Sequence, residues 1–205
     1  LAKHELEYKT VKDNSIFVKF KVKNKENEYL VIWTTTPWTI PFNLGVMANP
    51  ELDYVRADVG GETWIVAKQL AGVFIQGVAD RKYHIIEEFK GEKMEGVEYE
   101  HPFSDILGGH YGKLKSKSPK IHTVVMSTEY VHTDSGTGLV HMACGCGPED
   151  YEVGHRNGIP PWNNLTEAGY YPENMGGLSG LHAYNDNHKF TEALKKRNVI
   201  VGESV

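Results

Sequence analysis

The chain has 205 residues, of which 40% are hydrophobic, 24% charged and 11% aromatic. That supports one large domain with a real core and excludes wholesale disorder, collagen-like repeats and a small disulfide scaffold. The formal net charge of −5 excludes a module that grips nucleic acid through phosphate contacts alone, since such surfaces are basic.

The opening Leu1-Ala2-Lys3-His4-Glu5 has neither an initiator Met nor the apolar stretch of a signal peptide. It reads as the start of an excised fragment, a single domain over 1–205 with its core over 14–202. Ile16, Val18, Phe20 and Val22 alternate with Phe17, Lys19, Lys21 and Lys23, a period-2 pattern that predicts a strand with one buried face. Asn24-Lys25-Glu26-Asn27 turns the chain into a returning strand over Glu28–Thr34. Further strands are expected at Gly45–Ala48, Tyr54–Val59 and Thr63–Val66, with Gly60-Gly61 as a hairpin turn. Tyr83–Phe89, Thr123–Met126 and Gly138–Met142 complete the set.

Helices are few. Ala67–Gln76 is weakened by Gly72, which costs about 1 kcal/mol against Ala. Pro148–Asn157 has Pro at its first turn, Glu149 and Asp150 at the positive end and Gly158 past its stop. Asn187–Arg197 has Asp186 as its cap, Phe190 and Leu194 four apart, and a basic end. Lys113–Lys120 and Pro160–Gly180 read as long loops. The pattern predicts a predominantly β, barrel-like domain with peripheral helices, because strands and helices do not alternate as in a doubly wound sheet. No apolar run approaches the roughly 18 residues of a membrane-spanning helix. Cys144 and Cys146, one glycine apart, can close only a strained bridge, which suits a reducing cytoplasm.

Two stretches carry chemistry. In Trp33-Thr34-Thr35-Thr36-Pro37-Trp38-Thr39-Ile40-Pro41-Phe42-Asn43, three hydroxyls leave a strand and meet a Pro that forbids helix. Each hydroxyl donates one hydrogen bond and accepts two, which suits holding a water or a sugar hydroxyl. In Ser135 to Tyr151, a Gly-rich turn feeds a strand with His141 near its end, and a second Gly-rich loop leads to a helix that starts with Glu149 and Asp150. A carboxylate there can pair with a ligand ammonium. Taken singly, Asp150 is an ordinary helix-start acid and His141 an ordinary core histidine.

Together the two stretches resemble the editing domain of isoleucyl-tRNA synthetase, a module of class I aminoacyl-tRNA synthetases. Glu100-His101-Pro102-Phe103 is similar to a further segment of that family. The valyl and leucyl enzymes are expected to carry Arg at the Thr36 position and an acid at Trp38. The chain departs from the family at Cys144, where Pro is common, and near Cys146, where an aromatic or His is.

The resemblance implies hydrolysis of the ester in Val-tRNA(Ile), with valyl-adenylate as a further substrate. Asp150 would hold the α-ammonium, Thr34, Thr35 and Thr36 would line the ester and its water, and Asn43 and His141 would bind the ribose or amino acid. Trp38 would shape the pocket wall or the turn. The implied partners are the tRNA(Ile) 3′ acceptor end carrying valine and the rest of the synthetase, with a monomeric fragment and no membrane. No cofactor is expected, because ATP and Mg serve only the synthetic domain. The alternatives are a non-catalytic acceptor-end binding module and a valyl or leucyl editing domain.

Two other motifs are weaker. Lys113-Leu114-Lys115-Ser116-Lys117-Ser118 echoes an ATP-handling loop of class I enzymes but lacks its His-Ile-Gly-His partner, leaving a solvated or tRNA-contacting loop. His141, Cys144, Cys146 and His155 offer zinc-type ligands at a spacing that matches no standard zinc motif, so no metal is expected.

Overall fold

The computed structural model describes residues 14–205; the opening Leu1–Glu5 lies outside them. The strands are β1 (Ser15–Val22), β2 (Glu28–Thr34), β3 (Gly45–Ala48), β4 (Asp53–Val59), β5 (Glu62–Ala67), β6 (His84–Lys90), β7 (Tyr99–Glu100), β8 (Thr123–Met126), β9 (Leu139–Met142) and β10 (Ile200–Ser204). The helices are α1 (Lys68–Ala71), α2 (Ser104–Lys117), α3 (Pro148–Arg156) and α4 (Asn187–Lys196). The period-2 segments thus become strands within a residue or so of the expected bounds. Gly60 and Gly61 take φ of 60° and 92°, the left-handed values a two-residue hairpin turn needs.

All ten strands join one sheet, whose main path runs β6-β4-β5-β2-β9-β3-β8. It forks twice. β1 carries β2 along one edge and divides the other between β10 and β7. β2 in turn divides its far edge between β5, over Glu28–Leu30, and β9, at Trp33. Thr137 fills the second fork: its hydroxyl donates to the Val31 carbonyl at 2.6 Å, and its own carbonyl accepts from Ala67 N–H at 2.7 Å. The forks splay the sheet into a barrel-like shape with the cavity at the β2 end.

Several expectations need correction. The second face of β1 is not solvent-facing along its length: Phe17 is buried and stacks on Phe74 at 4.6 Å. The first helix is only α1, continued through Gly72–Val78 as a wider π turn. Asp186 stands at the start of α4 without capping it; its Oδ2 accepts instead from His182 N–H at 2.8 Å. Lys113–Lys117 is not a loop but the end of α2, whose Leu107 and Tyr111, four apart, are both buried. Gly108, Gly109 and Gly112 lie on the helix's open side, where an added Cβ would meet nothing within 4 Å. Packing of one stripe therefore overrides poor helix propensity. The short strands β7 and β10 carry no period-2 signal and were not expected.

Candidate active site

A cavity of about 410 Å³ opens where β2 ends. One wall is Thr34, Thr35, Thr36 and Thr39; a second is the β9 strand with Val140 and His141; Asp150, Cys146, Tyr130, His132 and Asp134 complete the lining. Among the described residues no Lys or Arg lines it. The Gly-rich turn before β9 forms its floor, and Gly138 is required there: its φ is +80°, and a Cβ would come within 2.4 Å of the Ala67 Cβ.

The threonine run leaves β2 and enters a tight 3-10 turn over Pro37–Phe42. The Thr34 Oγ1 accepts from Thr36 N–H at 3.0 Å. The Thr36 carbonyl accepts from both Thr39 N–H and Thr39 Oγ1–H, each at 2.9 Å. The turn thus folds Thr39 back beside Thr36, which makes it a member of the wall that sequence reading passed over. The i, i+3 spacing from Thr36 across Pro37 was the available signal. Tyr130, His132 and Asp134 come from the loop between β8 and β9, and nothing in their local sequence points to the cavity.

His141 is buried on β9, with Nε2 2.8 Å from Thr39 Oγ1 and Nδ1 2.7 Å from Asn43 Nδ2. Burial holds its pKa down at about 3, so the imidazole is neutral. Asn43 also donates to the Gly45 carbonyl at 2.8 Å and accepts from Tyr99 Oη–H. The structure therefore corrects two expectations. Asn43 is wholly buried behind His141 and does not line the cavity, so it braces the wall rather than touching a ligand. Of the two places expected for Trp38 the structure corrects the wall and gives the turn: it sits in the 3-10 turn outside the lining, with its ring facing Tyr184 at 5.4 Å and its carbonyl accepting from Tyr171 Oη–H.

Asp150 lies half-buried in the first turn of α3, where its Oδ2 accepts from Ala143 N–H at 2.9 Å. Burial raises its pKa to about 6, with Glu149 adding to the rise and the Ala143 bond opposing it. At pH 7 the carboxylate is ionised. Cys144 and Cys146 are free thiols pushed up to about 12, mainly by burial and then by the Asp150 charge, which makes them poor nucleophiles. Among the described residues no group of three His, Cys, Asp or Glu side chains is placed to hold a metal ion.

Among the described residues the cavity therefore joins two carboxylates, Asp134 and Asp150, with a row of hydroxyls and a neutral imidazole, and has no Lys, Arg or activated thiolate. No protein-family profile matches the chain. It is similar to the isoleucine–tRNA ligase of Pyrococcus furiosus, at 43% identity over 210 residues, covering 98% of this chain and 19% of that protein. The Thermococcus kodakarensis enzyme is 42% identical over 207 residues, again 98% and 19%. The Aquifex pyrophilus enzyme is 39% identical over 204 residues, 98% of the chain and 38% of that protein. The chain belongs to the isoleucine–tRNA ligase family. It spans about a fifth of the length of the first two of these relatives.

Solved structures place the isoleucine–tRNA ligase segment among editing domains by fold. GlLeuRS-CP1 superposes with a TM-score of 0.67 at 15% identity, covering 93% of this chain and 99% of that one. The editing domain of Plasmodium knowlesi cytosolic leucyl-tRNA synthetase gives 0.60 at 13% identity, covering 91% and 94%. Among the described residues no helix is long and apolar enough to cross a membrane.

Proposed function

We propose that this domain hydrolyses valine from mischarged tRNA(Ile), in the cytoplasm and as a monomeric unit of a larger synthetase. The observation that carries the reading is the ionised, half-buried Asp150 carboxylate, fixed by Ala143 N–H and lining the same cavity as the threonine hydroxyls. An aminoacyl ester carries its ammonium close to its carbonyl. A cavity lined by the Asp150 carboxylate and a row of hydroxyls can hold the first while presenting water to the second.

In the reaction, water oxygen bonds to the ester carbon, the bond to the ribose oxygen breaks, and a water proton passes to that oxygen. Free valine and an uncharged terminal adenosine result. The ester is already reactive, so holding water and substrate in register supplies much of the rate without a protein nucleophile or a cofactor. Editing is needed because one methylene is worth only about 1–3 kcal/mol in a binding pocket, a limit for which isoleucine against valine is the standard case. The lack of Lys or Arg in the lining among the described residues favours leaving most phosphate contacts to the rest of the synthetase. Kinship with isoleucine enzymes supports tRNA(Ile) over the valyl and leucyl alternatives.

The test is deacylation of Val-tRNA(Ile) and Ile-tRNA(Ile) by the chain and by its full-length parent. The expected result is cleavage of the valyl ester, unaffected by chelators. Binding without cleavage in both proteins leaves a non-catalytic acceptor-end module.

A further inference from the structure

Tyr99 makes no contact with the cavity, yet it begins a hydrogen-bond chain that ends there. The direction of each link is fixed by what each atom can do. The Gly45 carbonyl only accepts, so the Asn43 atom 2.8 Å away is the NH2 group. That leaves Oδ1 to accept from Tyr99 Oη–H. The same NH2 group faces His141 Nδ1 at 2.7 Å, so Nδ1 must be the bare nitrogen and Nε2 must carry the proton. Nε2–H then donates to Thr39 Oγ1 at 2.8 Å.

The consequence reaches the threonines. Thr39 has one hydroxyl proton, which goes to the Thr36 carbonyl at 2.9 Å. In the longer Thr36–Thr39 contact of 3.4 Å Thr36 must therefore be the donor. By the same count Thr34 donates to Thr36 at 3.3 Å. The Thr34 and Thr36 hydroxyl protons point along the wall, so these two have only lone pairs left for the cavity, whereas Thr35 makes no such bond among the described residues and keeps its proton. Groups that only accept will orient a water by its hydrogens, so that its oxygen lone pair faces away from the wall.

We propose that Tyr99 is a positioning residue that, together with the Gly45 carbonyl, locks the Asn43 amide and through His141 and Thr39 holds the hydrogen-bond polarity of Thr34 and Thr36, so that these two hydroxyls receive protons from the attacking water. This rests on the hydrolytic reading, but the polarity itself can be read without any substrate. Burial keeps His141 neutral, so the ring has one N–H and one bare nitrogen, and which is which carries the signal.

The test is long-range 15N–1H NMR of the histidine-labelled chain, alongside deacylation kinetics. In the wild type, His141 should appear as the Nε2–H tautomer. Tyr99→Phe removes one of the two locks on the Asn43 amide, leaving the Gly45 carbonyl as the other, and should give His141 a mixed tautomer pattern, with kcat lowered about ten-fold and KM little changed. Tyr111→Phe is the control: it loses another buried hydroxyl, one that donates to the Pro41 carbonyl at 2.7 Å, outside the chain of bonds. It should leave the His141 tautomer as it was. An Nδ1–H tautomer in the wild type overturns the proposal even if Tyr99→Phe fails to fold. So does a folded Tyr99→Phe whose tautomer is unchanged. Absence of deacylation in the wild type, with the tautomer as expected, counts against the hydrolytic reading and leaves the polarity standing.

Discussion

The cavity end at Asp150 and the layer behind His141 bury polar groups in opposite ways. Behind His141, partners are complete. His101 Nε2 meets the Ile40 carbonyl at 2.8 Å, His122 Nε2 the Asn43 carbonyl at 3.0 Å, and Tyr111 the Pro41 carbonyl at 2.7 Å. Three successive elements thus tie down the turn that follows the threonines, and burial lowers the pKa of His101, of His122 to about 4 and of His141 to about 3. At Asp150 the accounting is incomplete: among the described residues one backbone N–H meets one carboxylate oxygen, and burial raises the pKa instead. The saturated region gives rigidity, and the unsaturated one keeps a charge available for a ligand. A buried acid with a spare oxygen, facing a cavity, is where function shows through stability.

The largest expected effect breaks the comparison at its unsaturated end. Asp150→Ala leaves the substrate ammonium unpaired, a loss of about 2–5 kcal/mol at an interface, or tens- to thousands-fold in deacylation. Circular dichroism should stay native, because a first-turn acid contributes under about 1 kcal/mol through the helix dipole. Wild-type cleavage by a folded Asp150→Ala protein sinks the ammonium role.

Acid should separate the two regions next. The buried histidines bind protons less well folded than unfolded, so their contribution is present above about pH 6.5 and lost as pH falls toward about 4. Three such groups give a steepest slope of about 4 kcal/mol per pH unit. Asp150 has the opposite sign: its raised pKa means folding becomes less favourable as pH rises from about 4 to about 6. Deacylation, which needs the carboxylate ionised, should nonetheless fall away below about pH 6. Denaturant titrations and rates over pH 4–8 check both trends; an activity that is flat through pH 6 removes Asp150 from the mechanism.

Asn43→Ala attacks the saturated region. It strips Tyr99 Oη, His141 Nδ1 and the Gly45 carbonyl of their partner, and the expected loss is about 2–4 kcal/mol of stability by urea unfolding. Asp150→Asn is smaller and of opposite sign. It keeps an acceptor for Ala143 N–H and removes a desolvated charge, so stability at pH 7 should rise by about 1–2 kcal/mol while deacylation is lost. A fall in stability would mean the charge is already compensated in the folded domain. The least effect is expected outside both regions. Lys115 is held by the Ile121 carbonyl at 3.0 Å and by Glu98 at 3.5 Å, which leaves Lys117 as the exposed charge at the end of α2. Lys117→Glu should leave tRNA affinity within about two-fold and its salt slope unchanged.

Much of this fold was legible because strand periodicity is local. Ile16, Val18, Phe20 and Val22 announce β1 whatever they pack against. α2 was hidden because Gly108, Gly109 and Gly112 obscure the two apolar residues that matter, and only tertiary packing reveals the stripe. The site was legible in its composition but not in its directions. Thr34, Thr35, Thr36, His141 and Asp150 do share one cavity, whereas Asn43 and Trp38, equally prominent in the motif, point away from it. A 3-10 turn decides which side each residue faces, and the sequence names the turn without giving its orientation. Tyr130, His132 and Asp134 reach the cavity along a loop whose path depends on the whole sheet.

The fork in β2 also has a consequence in time. Its plug bonds Thr137 to Val31, 106 residues apart, and the only pairing of β2 with β9 is Trp33 with Val140. A nascent chain can close the β1–β2 hairpin early, but its threonines then face open solvent with no opposing wall. Contacts so distant along the chain pay their loop entropy before they return anything, so they form slowly. The cavity is therefore a late product of this domain's synthesis, and ribosome-bound chains that stop before Asp150 contain the motif without containing the site.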